Sequence, residues 1–248
     1  MSHGLDFDSD LWYNKKEKTL SLGKDGAFMD PNSNKVSIYV EHLLQDDDMI
    51  RQLEGYVQMQ HVYNAAIREV TTKLQILDEE FQCRYDHNPI HHMESRLKSP
   101  RSIVGKLRRR AEEISADSAR RNLTDIAGIR VICCYIEDVY RIAELLLHQD
   151  DVTLLRKSDY IKNPKENGYR SLHLVIQIPV YLSDRTELVP VEVQLRTEAM
   201  DLWASLEHQM RYKSTKEISL DLQNQLRECA ESLAAVDTKM QRIYKHLQ

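Results

Sequence analysis

At 248 residues, 42% hydrophobic and 29% charged, the chain is long enough to bury one substantial core and too apolar for a disordered or fibrous protein. No apolar run approaches the ~20 residues that cross a bilayer, and the N-terminus lacks the basic-then-apolar profile of a secretion signal. A cytoplasmic protein with no membrane partner is therefore expected.

The net charge of −5 lies in residues 1–48, which hold ten acids against five lysines, while the remainder is balanced at 29 against 29. Within that remainder, residues 96–130 carry ten cations and four acids. A neutral module with one basic belt suits a phosphorylated small molecule better than a long nucleic acid, so no obligatory nucleic-acid partner is expected.

Residues 1 to about 40 show no helical or strand periodicity and are broken by Gly23, Gly26 and Pro31. They read as a flexible extension ahead of a single domain over residues 41–248. Tyr63, Ile67, Val70, Leu74, Leu77 and Phe81 then recur at steps of four and three, one face of a long helix. His87, His91 and His92 have a spacing that can hold a metal, but Asn88-Pro89 reads as a helix cap, and no zinc site is expected there. Residues 101–114 repeat the helical pattern. Ile103, Leu107, Ala111 and Ile114 form its buried stripe, and Ser102, Lys106 and Arg109 project together from an adjoining face.

Residues 129–136 form a continuous apolar run, expected of a strand buried on both sides. A crossover helix over 139–147 follows, then a weaker strand over 152–161. Residues 172–182 pair with 188–197 across a turn at 183–186. On the last strand Glu192, Gln194 and Arg196 share one face, opposite Val191, Val193 and Leu195. A helix over 198–213 turns Trp203, Leu206 and Met210 inward. Leu222, Leu226, Cys229, Leu233, Val236, Met240, Ile243 and Leu247 then keep a four-three spacing without a miss, a seam packed on its own core or on another subunit. The order α, α, β, α, β, β, β, α, α argues for an α/β (α+β) fold, a mixed sheet flanked by helices with long helices at both ends. Cys83, Cys133, Cys134 and Cys229 form no Cys-x-x-Cys pair and read as reduced core thiols.

Asp125 and Glu192 can together hold a Mg²⁺ that completes its shell with waters and substrate phosphates, although an Asp before a strand is as readily a cap. Arg96, Lys98, Lys106, Arg109 and Arg130 exceed what one phosphate needs, whereas a triphosphate can use them all. Tyr169, after Gly168 and beside Lys165, Arg170 and His173, offers a ring on which a base can stack, or is an ordinary core-edge tyrosine. Asp201 can accept from the two donors on the N1 and N2 edge of guanine, or is a charge favoured at a helix start.

Several spaced blocks carry a resemblance: His87-Asn-Pro-Ile90, Ser95-Arg-Leu-Lys-Ser99 through Lys106, Asp125-Ile-Ala-Gly-Ile-Arg130, Asn167-Gly-Tyr-Arg-Ser-Leu-His173, Glu192-Val-Gln-Leu-Arg-Thr197 and Trp203-Ala-Ser-Leu-Glu-His208. In that order they resemble the synthetase domain of the RelA/SpoT homologue superfamily, and more narrowly its single-domain small alarmone synthetases of the RelP type. The resemblance implies a nucleotidyltransferase-like mixed sheet and transfer of the β,γ-pyrophosphate of ATP to the 3′-hydroxyl of GTP or GDP. It places Arg96 and Arg130 around the adenine, Lys98, Ser102, Lys106 and Arg109 on the ATP phosphates, and Asp125 and Glu192 on Mg²⁺, with Glu192 also the base. Tyr169 would stack on guanine, Lys165, His173, Gln194 and Asp201 would orient the acceptor, and Arg196 and Glu207 would support them. It further implies a homotetramer. With no His-Asp dipeptide and no room for a hydrolase domain, synthesis without hydrolysis is expected. Asp125→Asn and Glu192→Gln are expected to abolish synthesis and barely change stability.

Overall fold

The computed structural model describes residues 47–213 and 219–247. The extension expected over residues 1 to about 40 lies outside them. In chain order the elements are α1 (Asp47–Arg84), β1 (Ile90–Leu97), α2 (Pro100–Arg109), α3 (Ala116–Asn122), β2 (Ala127–Cys133), α4 (Ile136–Leu147), β3 (Thr153–Asp159), β4 (Leu172–Tyr181), β5 (Thr186–Thr197), α5 (Glu198–Lys213) and α6 (Leu220–Leu247). The strands form one mixed sheet in the order β1-β2-β5-β4-β3, with β2 and β5 parallel and the other neighbours antiparallel.

Register divides the sheet into two chemically different faces. Ser95, Ile129, Val193 and Leu174 lie opposite one another in one cross-strand row, and Met93, Val131, Leu195 and Leu172 in another. The aliphatic members of these rows meet Met59, Val62, Ala66, Val70, Leu74 and Phe81 of α1 and Val139, Ile142 and Leu146 of α4 in a single core. The alternate rows are polar. Arg96, Gly128, Glu192, Val175 and Arg156 form the first, and Glu94, Arg130, Gln194, His173 and Ser158 the second. Because side chains alternate along a strand, every residue in these two rows points away from α1.

The helices are fixed locally as well as by burial. Ser99 caps α2 by accepting from the Ser102 amide, Pro100 stands in its first turn, and Ile103 and Leu107 are buried. Ser115 caps α3 in the same way through Ser118. The Asp138 carboxylate accepts from the Tyr135 amide to start α4.

The structure corrects several expectations. β1 and α3 lie where the sequence signals neither, because the eight residues of β1 form an edge strand of which only Ile90 is buried. Asn88-Pro89 caps no helix: Asn88 instead accepts from the Ile90 amide and donates to Asp78 at the entry to β1. Helix α2 stops at Arg109, Ala111 turns with φ of 55°, and Ile114 is exposed, so the stripe ends at Leu107. Leu206 and Met210 are exposed, and α5 instead turns Met200, Trp203, Ala204, Glu207 and His208 inward. Cys133 is buried, but Cys83 and Cys229 are exposed thiols rather than core ones. No helix among the described residues is long and apolar enough to cross a membrane.

One loop depends on α6. Gly168, between β3 and β4, has φ of 91°, and a Cβ built on it would stand 2.6 Å from the Ala230 Cβ. Arg170 donates to the carbonyls of both Gly168 and Ala230, while the Trp203 indole donates to Leu226. Tyr169, Trp203, Ala204 and Ala230 thus form a second small core. Gly168→Ala should lower stability in urea denaturation by about 2 kcal/mol or more, from the left-handed backbone and the clash together. Adding Ala230→Gly should recover only the steric part.

Candidate active site

The polar face is richest where β1, β2 and the start of α2 meet. Lys98 follows β1, and its amide donates to the Ile126 carbonyl, which brings the two chain segments together. The Asp125 carboxylate ends there, with Oδ2 accepting from Lys98 Nζ at 3.0 Å and from Lys106 Nζ at 2.6 Å. The Lys98 side chain is fully buried and that of Lys106 is 12% exposed. Burial alone would raise the Asp125 pKa, yet the two ammoniums and their hydrogen bonds outweigh it and hold the carboxyl at about 2. Oδ1 is buried with no hydrogen-bond partner among the described residues.

Glu192 stands in the adjoining row, 4% exposed, and accepts from Gln194 Nε2 at 3.2 Å. Burial raises its pKa and the Asp125 charge raises it further, against opposing effects of Gln194, Arg96 and Lys106. The two carboxylates therefore feel each other. No group of three or more His, Cys, Asp or Glu among the described residues is arranged to hold a metal. Two carboxylates, one with an open buried oxygen, still fit a hard divalent cation that draws the rest of its shell from phosphates and water.

A second cluster lies toward the other end of β5. Arg196 donates to the Tyr169 hydroxyl at 2.6 Å, to Gln194 Oε1 at 2.8 Å and to Asp201 Oδ1 at 3.1 Å. The Tyr169 hydroxyl lies 2.8 Å from His173 Nε2. Burial and the charges of Arg196, Lys165 and Arg156 push the His173 pKa well below its usual range, so the ring is neutral. The phenol oxygen accepts from Arg196 and shares a hydrogen bond with Nε2 of the neutral ring. Nδ1 stands 3.7 Å from Glu192 Oε1, so the two clusters adjoin without a hydrogen bond between these atoms.

Arg130 bridges the ends of the face, 2% exposed, with ion pairs to Glu94 at 3.5 Å and Asp201 at 3.3 Å. Arg96 is half-buried one row away on the neighbouring strand. Ser102 is half-buried beside the Ser99 cap, whereas Arg109 is exposed at the end of α2. Lys165 holds its ammonium 5.1 Å from the centre of the Tyr169 ring, and the Arg196 guanidinium lies at the same distance. The Tyr169 ring is thus buried and covered by cations, not an open platform at a loop edge. Glu207 is buried and accepts from Asn167.

A family model described as a region found in RelA/SpoT proteins matches residues 95–217. The GTP pyrophosphokinase YwaC of Bacillus subtilis (strain 168) is 42% identical over 201 residues, covering 81% of this chain and 96% of that protein. The chain belongs to the RelA/SpoT family, among its small alarmone synthetases. Solved structures of the family share the fold. Small alarmone synthetase 2 from Bacillus subtilis superposes with a TM-score of 0.71 at 41% identity, covering 77% of this chain and 98% of that one. Small alarmone synthetase 1 from the same organism, bound to its product pppGpp, gives 0.72 at 32% identity, covering 78% and 98%.

All the sequence-selected residues except Arg109 are thus partly or wholly buried on or beside the polar face. Sequence reasoning missed Glu94, which pairs with Arg130, and gave Arg196 a supporting place where the structure makes it the hub of the second cluster. It also missed that one Asp125 oxygen accepts from a fully buried and a largely buried lysine, so that Asp125→Asn is expected to cost stability.

Ionised Asp125 contributes stability that is present above its unfolded pKa of about 3.8 and is lost as pH falls through about 2. Asp125→Asn should therefore be less stable than wild type by about 2 kcal/mol or more at neutral pH. That gap should close as chemical denaturation is repeated from pH 4 toward pH 2.

Proposed function

We propose that this chain is a GTP diphosphokinase, moving the β,γ-pyrophosphoryl group of ATP to the 3′-hydroxyl of GTP or GDP and releasing AMP. The observation that carries this reading is the pair of buried carboxylates between two clusters, with ammoniums on one side and a tyrosine-arginine-carboxylate set on the other. The name of YwaC and the product bound to small alarmone synthetase 1 support it.

On the donor side, Arg96 and Arg130 flank adenine, and Lys98, Ser102, Lys106 and Arg109 take the phosphates. Lys106 offers an ammonium with three donors, of which the Asp125 bond uses one. Asp125 and Glu192 hold Mg²⁺ when it is bound, where it neutralises charge developing on the donor phosphates. On the acceptor side, guanine takes the place of the Lys165 ammonium against Tyr169. Lys165, His173, Gln194 and Asp201 orient the nucleoside, with Arg196 and Glu207 supporting them.

The 3′-oxygen attacks the β-phosphorus, its proton passes to Glu192, and the bond from that phosphorus to the bridging oxygen of AMP breaks. Positioning by two fixed clusters supplies much of the rate. Incubation with labelled ATP, GTP and Mg²⁺ should give AMP and a guanosine pentaphosphate. Release of pyrophosphate instead would indicate nucleotidyl transfer and reject the reading. Glu192→Gln should lower turnover more than tenfold, a barrier increase above ~1.4 kcal/mol.

We also propose a homotetramer in the cytoplasm, built through α6. Leu222, Val236, Met240 and Ile243 of the expected seam are about half exposed, while Ala230, Asp237 and Gln241 on a different face are buried against the chain. Apolar side chains left half on solvent along one helix suit a partner. Sedimentation at micromolar concentration should give four times the single-chain mass, and Val236→Glu with Met240→Glu should dissociate the particle without unfolding it. A single-chain mass for wild type would reject the assembly.

A further inference from the structure

Thr197 ends β5, and α5 begins at the next residue. Its fully buried hydroxyl serves two partners at once. The oxygen accepts from the Met200 amide at 3.3 Å, which caps the first turn of α5, and the proton is donated to the Asp237 carboxylate of α6. A hydroxyl has one proton to give, so Asp237 selects the orientation in which the Thr197 lone pairs face the helix amide. Asp237 is itself only 7% exposed. Among the described residues Thr197 is the one side chain that donates to it, and no cation pairs with it. A buried carboxylate is thus committed to a single cap.

The residues on either side of that cap meet the acceptor in the scheme above. Arg196, immediately before it, donates to Tyr169, Gln194 and Asp201. Asp201, four residues after it, stands one helical turn along α5, within 3.1 Å of Arg196 and 3.3 Å of Arg130. Loosening the first turn of α5 moves Asp201 against both arginines. The donor-side residues Lys98, Lys106 and Asp125 belong to other segments of the chain.

Resting on the nucleotide placement argued above, we propose that Asp237 is a positioning residue for the acceptor base. Through the Thr197 cap it fixes the first turn of α5, and with it the Asp201 carboxylate that meets the N1 and N2 edge of guanine. Asp237 touches no nucleotide and takes no part in bond breaking. It lies on α6, beyond residue 217 where the family match ends.

The test is steady-state kinetics at saturating ATP with GTP or ITP as acceptor, and at saturating GTP with ATP varied. In Asp237→Ala, and in Thr197→Val, which keeps the volume of the side chain, the KM for GTP should rise roughly tenfold, as expected of one lost hydrogen bond to a charged group. The KM for ATP should not move, and kcat should change far less. ITP lacks the 2-amino group that Asp201 accepts from, so its KM should rise less than that of GTP. The double variant should be no worse than either single one, because both cut the same chain of bonds. Asp237→Asn keeps an accepting oxygen and Thr197→Ser keeps the hydroxyl, so each should recover most of the loss. Equal rises for GTP and ITP, additive losses in the double variant, an equal rise in the KM for ATP, or unchanged GTP kinetics in Asp237→Ala would each overturn the proposal. Absence of any 3′-pyrophosphorylated product from wild type would instead overturn the reading of function beneath it.

Discussion

One carboxylate shared by two buried ammoniums governs this protein. Lys98 is fully buried and Lys106 nearly so, and Asp125 is the charge that makes their burial tolerable. A single carboxylate cannot neutralise both, so the pocket keeps a surplus of positive charge in a region largely shielded from water. Polyphosphate is a ligand that such a surplus attracts, and the ammoniums are already desolvated when it arrives. Glu192 follows from the same imbalance: it can remain buried nearby because cations surround it, and its raised pKa records how incompletely they offset its burial and the Asp125 charge.

The rest of the polar face extends this charge pattern across the sheet at two-residue intervals. Glu94 and Arg96 on β1, Arg130 on β2, His173 on β4, and Glu192 and Gln194 on β5 occupy two neighbouring rows. Gly128 interrupts the first row between Arg96 and Glu192, leaving that point of the face without a side chain. A strand cannot exchange one of these residues for its neighbour without turning the chemistry toward α1, so the apolar core of the opposite face holds the site in register.

That dependence explains what could be read from the sequence. The alternation of Val191, Val193 and Leu195 with Glu192, Gln194 and Arg196 is visible because one face must be dry and the other polar. The long stripe of α1 is visible for a similar reason. The eight residues of β1 carry no such signal, since an edge strand need bury little on either side, and with β1 went the partnership of Glu94 with Arg130. The seam of α6 was legible as periodicity, but periodicity does not say which face meets the chain itself: Ala230, Asp237 and Gln241 do. Tyr169 was found from its glycine and its neighbours, while its burial under Lys165 and Arg196 depends on a fold that brings three separate segments together.

The sequence motifs end near Glu207, yet the pocket does not. Gly168 leans on Ala230, Arg170 spans Gly168 and Ala230, and Thr197 at the end of β5 donates to Asp237. A ribosome delivers α6 after every residue that touches nucleotide in the proposed scheme. The ammonium pocket draws on β1, α2 and the segment before β2, whereas the acceptor loop packs on Ala230 of α6, so a change confined to α6 bears on the acceptor half of the site rather than on the donor half.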